Sequence, residues 1–427
     1  MNNLTARDKK VIWHPFTHQK NMLPPIPIVK GEAALLFDEN GKAYLDAISS
    51  WWVNIHGHAH PYIAEKIFEQ AKQLEHIIFA GFTHLPAIEL AEKILGILPN
   101  GFAKIFYSDN GSTSTEVAIK MALQYWWNLQ KTTKTKILAF NNAYHGDTFG
   151  AMSVSDRSVF TLAFHDKLFE VIFIDTPTQE NINEVSEFIT KQSNEIAAFI
   201  YEPLVQGAGG MKMYSPELLN QLLKICQEHE IICIADEVMT GFGRTGKLFA
   251  SEYCEYQPDI ICLSKGLTGG TMALGITACS QKIYTAYITD DKLKTFFHGH
   301  SFTANPIACS AAIASIELLA KEKSLEKVNW IAEKNELFVH TLTHSVKKKS
   351  IKNLRHLGTI VAFEINEGRD EYLNSISTII TEKSLQSGIY LRPLGNTVYL
   401  MPPYCITEAQ LQNIYDFIIE MIDALPK

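Results

Sequence analysis

The sequence predicts an α/β fold: one large, mostly parallel seven-stranded sheet with a smaller α/β domain beside it. Two observations carry that expectation. From about residue 104 to 280, short runs rich in Ile, Val and Phe alternate with longer amphipathic segments, the pattern of buried parallel strands joined by helices. Near residue 320 the texture changes to long helical segments followed by two strand-like stretches.

Taken in order, the expected strands of the large sheet are KIFY (104–107), KILAF (136–140), VIFI (171–174), IAAFIY (196–201), IICIA (231–235), IICLS (260–264) and ALGITAC (273–279). Helix-like segments occupy 304–345 and lead into VKKKSIKN (346–353), which reads as a solvated turn. GTIVAFEI (358–365) and IYLRPLGNTVYLMPPY (389–404) read as strands of the smaller domain, with Gly395-Asn396 supplying hairpin turn chemistry. The expected division is 1–54 and 321–427 for the small domain and 55–320 for the large one.

A chain of 427 residues, 46% hydrophobic and 20% charged, is long enough for a large core and a second domain. The charge of 38 minus 46, or −8, comes without long runs, so no basic face is available for nucleic acid. Seven cysteines (Cys226, Cys233, Cys254, Cys262, Cys279, Cys309, Cys405) are an odd number, contain no C-x-x-C pair and sit mostly in apolar runs, as reduced thiols of a cytoplasmic protein would. The start, MNNLTARDKKVIWHPF, lacks the apolar core of a signal peptide, and no stretch of about 18 apolar residues occurs. Neither export nor a membrane span is expected.

The stretch IADEVMTGFGRTGK (234–247) fits two glycine patterns at once, G-x-G-x-x-G and nearly G-x-x-x-x-G-K. Neither has its context. Leu248 stands where a P-loop needs Ser or Thr, and Gly241 lies five residues beyond the strand-ending Asp236 with no helix start at the glycines. What stands out is Asp236 directly after one apolar strand and Lys265 directly after the next. In an open α/β sheet the carboxyl ends of strands face the ligand crevice, so two opposite charges are aimed at one place. Taken alone, either is an ordinary solvated residue at a strand end. Together they are the pair that pyridoxal phosphate chemistry requires, a lysine for a Schiff base and a carboxylate to keep the pyridine nitrogen protonated.

A phosphate site is available where KIFY passes through Asn110-Gly111-Ser112 into an amphipathic helix, because a helix N-terminus offers free N–H groups and a favourable dipole. Thr113 and Glu116 also fit an S/T-x-x-E capping box, the purely structural explanation of the same residues. Tyr144, in NNAYHGD after KILAF, could cover a flat ring.

Asp236-Glu237 with GFGRTGKLF and PDIICLSKGLTGG resembles the signature of class III pyridoxal phosphate-dependent aminotransferases, which have the fold type I architecture. The resemblance implies a pyridoxal 5'-phosphate cofactor in the large domain. Lys265 would bind it and carry the proton, Asp236 would pair with the ring nitrogen, and Tyr144 and Val238 would sandwich the ring. Gly111 and Ser112 would hold the phosphate, completed across a homodimer interface by His300 and Ser301 of HGHSFTANP. The glycine loop would be a structural turn, with Arg244 supporting the site through ion pairs. Within the class, WHPFT (13–17), SSWWVNIHGHAHP (49–61), AYHGDTFGAMSVSD (143–156), VQGAGGMKMY (205–214) and LRPLGNTVYLMPPY (391–404) resemble the biotin-pathway members, which move an amino group from S-adenosylmethionine to 8-amino-7-oxononanoate. That acceptor has a carboxylate on a long alkyl chain, so it needs a distant cation, Arg392, and an apolar channel, Trp51 with Trp52. Asp147 and Gly299 match further positions near its polar groups.

Two departures stand out: Phe16 where that group usually has Tyr, which bears on the donor and admits lysine instead of S-adenosylmethionine, and His300-Ser301 where Pro-Thr is common. Rival readings are another class III ω-aminotransferase, a binding-only relative, and a metallohydrolase. The last would use His56, His58 and His60, whose alternation in an extended segment would point three imidazoles one way, although Gly57 and Pro61 suggest a turn.

Overall fold

The computed structural model describes residues 3–344, 350–366, 368 and 372–424. Each of the seven apolar runs forms a strand: β1 (Phe102–Ser108), β2 (Lys136–Phe140), β3 (Val171–Ile174), β4 (Ile196–Tyr201), β5 (Ile232–Asp236), β6 (Ile260–Leu263) and β7 (Gly275–Ser280). They make one sheet in the order β1-β7-β6-β5-β4-β2-β3. Neighbouring strands pair in parallel except β7, which runs antiparallel to both β6 and β1. All six residues of β4 are buried, as a continuous apolar run in a sheet covered on both faces must be. Because β7 alone is reversed, it begins at the edge where β1, β5 and β6 end.

Helices follow from the same alternation. α1 (Gly111–Asn128) leaves the end of β1, α2 (Pro216–Glu228) precedes β5, and α3 (Pro306–Lys321) and α4 (Ser324–Thr343) fill the region expected to be helical. α2 starts with Ser215 as its cap and Pro216 in the first turn, where a missing N–H costs nothing. Trp126 of α1 is buried against the sheet and its indole N–H donates to the Ala197 carbonyl at 2.8 Å, so this large side chain is both packed and polar-satisfied.

Besides the two-stranded pair of Val205–Gln206 with Lys212–Met213, two smaller sheets lie outside this one. Ile28–Glu32, Leu35–Asp38 and Ala43–Asp46 pair antiparallel, and Ile389–Tyr390 adds to the last of them in parallel, so segments from both ends of the chain share one sheet. Ile351–Leu357, Ile360–Ile365 and Thr397–Leu400 form the other. Leu394 and Thr397 exchange both backbone hydrogen bonds, at 2.9 and 3.0 Å, around Gly395 (φ +62°) and Asn396, which is the expected tight turn. The lysine-rich stretch departs from expectation. Residues 346–349 lie outside the described residues, but from Ile351 onward it is strand, because Ile351 is buried and pairs with Ile365 while a bulge at Asn353 (φ +52°) absorbs the polar residues.

All seven cysteines are free thiols, six buried and Cys405 half-buried. Among the described residues no helix is long and apolar enough to cross a membrane. At the centre of the core, Phe140 of β2 meets Phe199 of β4 edge to face at 5.0 Å, both fully buried. Phe140→Ala should cost about 3–5 kcal/mol, to be read as a shifted midpoint in chemical denaturation.

Candidate active site

The site is built on the register of β5 and β6. Asp236 pairs with Cys262, so the last residue of β5 stands beside the end of β6, and Lys265 follows two residues beyond that end. Asp236 is buried. Its Oδ1 accepts the Val238 N–H at 3.1 Å and its Oδ2 lies 2.7 Å from His145 Nδ1. Lys265 takes φ +47°, a conformation costly for a residue with a Cβ and concentrated at functional sites. Burial pushes its ammonium down to about 8, against the opposing pull of the Asp236 and Glu202 carboxylates and with a smaller push from the Arg244 guanidinium. The amine lies 4.6 Å from the centroid of the Trp52 ring.

The N-terminus of α1 forms the opposite wall. Asn110 caps it by accepting the Thr113 N–H at 3.0 Å, and Thr113 Oγ1 accepts the Asn110 N–H at 3.1 Å. The capping box is therefore Asn110 with Thr113, not Thr113 with Glu116, because the helix begins at Gly111, one turn earlier than that pattern requires. Glu116 instead takes the N–H groups of Gly150 and Ala151, at 2.6 and 3.2 Å, at the start of the short helix Phe149–Val154. Gly111 and Ser112 thus hold the first N–H groups of the helix, which have no intrahelical acceptor. The wall has no room for added atoms. A Cβ on Gly111 would fall 2.7 Å from Val238 Cγ1, and one on Gly146 (φ +134°) would fall 2.1 Å from Ser112 Oγ. Bare backbone at a helix N-terminus is what a phosphate group needs.

One cavity of about 680 Å³ is lined by Gly111, Ser112, Tyr144, Asp147, Asp236, Val238, Lys265 and Trp52, eight of the residues singled out from sequence. Asp147 donates its backbone N–H to Ser112 Oγ at 3.2 Å. A second cavity of about 510 Å³ shares Tyr144, Gly146 and Asp147 with it, and shares Tyr372 with a third of about 910 Å³ that holds Phe16 and Arg392. Trp51 stands between the last two: the Arg392 guanidinium carbon is 5.1 Å from its ring and Phe16 meets it edge-on at 5.3 Å. Gly299, His300 and Ser301 line none of these cavities in their own chain.

Four residues were not anticipated. His145 holds Asp236. Glu202, fully buried at the end of β4, accepts the N–H groups of Tyr144 at 3.0 Å and Gly207 at 2.9 Å. Burial pushes its carboxyl up to about 7, with His145 opposing and Asp236 adding to the rise. Its signal was legible, an acid directly after an apolar strand, as for Asp236. Phe160 and Tyr372, 4.5 Å apart, link Phe16 and Tyr144 into one aromatic wall.

One expectation is corrected and one rival reading fails. Arg244 is buried and donates to the carbonyls of Pro402 at 3.0 Å and Trp52 at 3.3 Å while lying over the Tyr404 ring; carbonyls and a ring, not ion pairs, hold it. The three histidines do not converge. His56 meets Ser315 Oγ, His58 meets Asp46, and His60 meets Glu322. Positive φ at Gly57 (+88°) and Ala59 (+52°) breaks the extended alternation, and among the described residues no group of three or more His, Cys, Asp or Glu could hold a metal ion. The glycine loop forms turns with φ above +100° at Gly243 and Gly246, and only the short helix Ala250–Tyr253 follows.

A mostly parallel seven-stranded sheet with a lysine and a carboxylate at one edge and a bare helix N-terminus opposite is an arrangement that suits an aminotransferase of class III. Residues 16–422 match that family, and the chain belongs to it. It is 45% identical, over 97% of its length and 99% of the relative's, to an adenosylmethionine-8-amino-7-oxononanoate aminotransferase of Synechococcus elongatus. The crystal structure of an enzyme of that name from Methanocaldococcus jannaschii superposes with a TM-score of 0.94 at 35% identity, covering 99% of each chain. An amine transaminase from an uncultivated Pseudomonas species, solved in its PLP-bound form, superposes at 0.89 with 27% identity, covering 97% of this chain and 98% of that one.

Gly146→Ala should weaken pyridoxal phosphate binding by roughly tenfold or more, since the added carbon displaces Ser112 from the helix N-terminus. Titration of the apoprotein, followed by visible absorbance, measures it.

Proposed function

We propose that this protein transfers an amino group from S-adenosylmethionine to 8-amino-7-oxononanoate in biotin biosynthesis, with pyridoxal 5'-phosphate as cofactor. The observation that carries the reading is the single cavity in which Lys265, Asp236 and the α1 N-terminus face one another beside Trp52, with Arg392 and Trp51 set apart from it. The residues fit the cofactor at both ends: a space closed to any Cβ at Gly111 and Gly146 for the phosphate, and a fixed buried carboxylate for the ring nitrogen. When bound, pyridoxal phosphate supplies an electron sink for the carbon next to the transferred nitrogen.

The chain supplies the rest. Lys265 binds the cofactor through its amine, which its low pKa makes available as a nucleophile near neutral pH, and then takes and returns the proton at the reacting carbon. Asp236, fixed by Val238 and His145, holds a proton on the ring nitrogen. Tyr144 and Val238 flank the ring, and the N–H groups of Gly111 and Ser112 receive the phosphate. His300 and Ser301 act in the partner's site of a homodimer. The exposed Phe297 (73%) and Phe302 (63%) on either side of them support that reading, as surfaces a second copy would cover. Arg392 anchors the acceptor carboxylate, Trp51 and Trp52 line its alkyl chain, and Asp147, with Gly299 of the partner subunit, borders its polar end. Phe16 contributes an apolar face and no hydroxyl. The terminal segments form the small domain, and the protein works in the cytoplasm.

The deciding experiment mixes the holoenzyme with one amino donor at a time. Loss of the visible cofactor band with S-adenosylmethionine alone is the expected result. Loss only with lysine would reassign the donor, and loss with neither would overturn the reading. Lys265→Ala should lower turnover by at least about a hundredfold and remove the visible band of the lysine-bound cofactor. Arg392→Ala should raise the acceptor KM roughly tenfold or more while the donor KM changes by less than about threefold; steady-state kinetics with each substrate varied would show it. Because the Lys265 amine titrates at about 8 and not near its ordinary 10.5, attachment of pyridoxal phosphate to the apoprotein should speed up as pH rises to about 8 and then level off, in stopped-flow absorbance.

A further inference from the structure

The segment that delivers the two tryptophans is strained. Ser49 (φ +52°), Ser50 (+60°) and Trp52 (+68°) all occupy the left-handed region, and none is glycine. A bulky side chain there is an outlier that persists only where its surroundings fix it.

What fixes it is Asp46, fully buried at the end of the strand Ala43–Asp46. Its Oδ1 accepts the N–H groups of Ile48 at 3.2 Å and Ser50 at 2.9 Å. Its Oδ2 accepts the Ser50 hydroxyl at 2.8 Å and faces His58 Nε2 at 2.8 Å. His58 is itself held in place. Its N–H donates to Ala33 O at 2.7 Å, and the preceding Gly57 (φ +88°) has no room for a Cβ, which would fall 2.6 Å from Cys405 Sγ and 2.8 Å from Ala33 O. The other imidazole nitrogen lies 3.1 Å from the Asn54 amide, which also reaches the carbonyl of Gly269 in the loop after Lys265 when its nitrogen faces that way. At the end of the strained run, Trp52 lies against Lys265 and donates to the Tyr399 hydroxyl at 2.9 Å, and Trp51 within it lies between Phe16 and Arg392.

We propose that Asp46 and His58 are positioning residues that hold the left-handed run in shape, place Trp51 and Trp52, and thereby set the site's fit for an apolar chain ending in a carboxylate. The inference rests on the reading of Arg392 and the tryptophans as the acceptor's seat, and it gives the His-Gly-His segment a task other than metal binding. An amide changes the pattern: asparagine can keep an oxygen on the Ile48 and Ser50 N–H groups, but its NH2 then faces the Ser50 hydroxyl and His58 Nε2, which must both give up donating and accept instead.

The test compares holoenzymes of the wild type, Asp46→Asn, His58→Leu and His58→Gln, using nonanoate as a carboxylate probe without a reacting group. Asp46→Asn and His58→Leu should raise both the acceptor KM and the nonanoate Kd roughly tenfold while kcat changes less than about threefold. His58→Gln, which keeps an N–H for Asp46, should restore most of the loss. Fluorine NMR of the fluorotryptophan-labelled protein gives a readout independent of substrate: of the six tryptophan resonances, those of Trp51 and Trp52 should move in Asp46→Asn and the rest should stay. A lower melting temperature with unchanged KM, unchanged nonanoate affinity and unmoved resonances would mean the pair only stabilises the fold, and would overturn the proposal. If nonanoate binds the wild type and Arg392→Ala equally, the acceptor reading fails and takes the specificity claim with it. The placement of the tryptophans is then decided by the resonances alone.

Discussion

Everything at the site depends on the parallel register of β5 and β6. Hydrogen bonding between these two buried strands fixes where each chain leaves the sheet, and the residues that leave are an acid and an amine. Two opposite charges so placed could simply have formed an ion pair. Burial opposes that outcome for Lys265, whose amine is lowered to about 8 although two carboxylates pull the other way. The amine therefore gives up its proton at a lower pH than an ordinary lysine does. Asp236, with a backbone N–H on one oxygen and His145 on the other, stays fixed in place.

The two buried carboxylates near the lysine are held by different means. Asp236 has the imidazole beside it. Glu202 has two backbone N–H groups directed at its oxygens, and one of them belongs to Tyr144. That hydrogen bond ties the aromatic wall of the cavity to the end of β4, so Tyr144 is placed by the sheet and not by its loop alone. Glu202 and His145 line the same cavity as Asp236 and Lys265.

How much was legible in the sequence follows from which contacts are local. The strands could be read because a run such as Ile196–Tyr201 is apolar at every position and has no other use. Asp236 and Lys265 could be read because a charge that ends such a run stands out. His145 could not be read, because its partner lies 91 residues away. Arg244 was misread for a similar reason: a guanidinium donates to carbonyls as well as to carboxylates, and which it meets is a matter of how Trp52 and Pro402 fold back onto it. The turn in the histidine segment could be read from Gly57 and Pro61, and positive φ at Gly57 and Ala59 breaks the two-residue alternation of a strand there.

The reversed strand β7 has a consequence for the lysine. In an all-parallel sheet the chain leaving β6 would have to travel back across a face of the sheet before the next strand could begin. Here β7 starts at the edge where β6 stops, so the eleven residues that carry Lys265, 264–274, form a short return anchored at both ends. It is pinned across its waist by Ser264 Oγ on the Leu274 carbonyl at 2.7 Å and by Thr268 Oγ1 on the Met272 carbonyl at 2.6 Å. A short closed loop has little conformational freedom left to lose. The Lys265 amine thus stands on a short arch tied together at both ends.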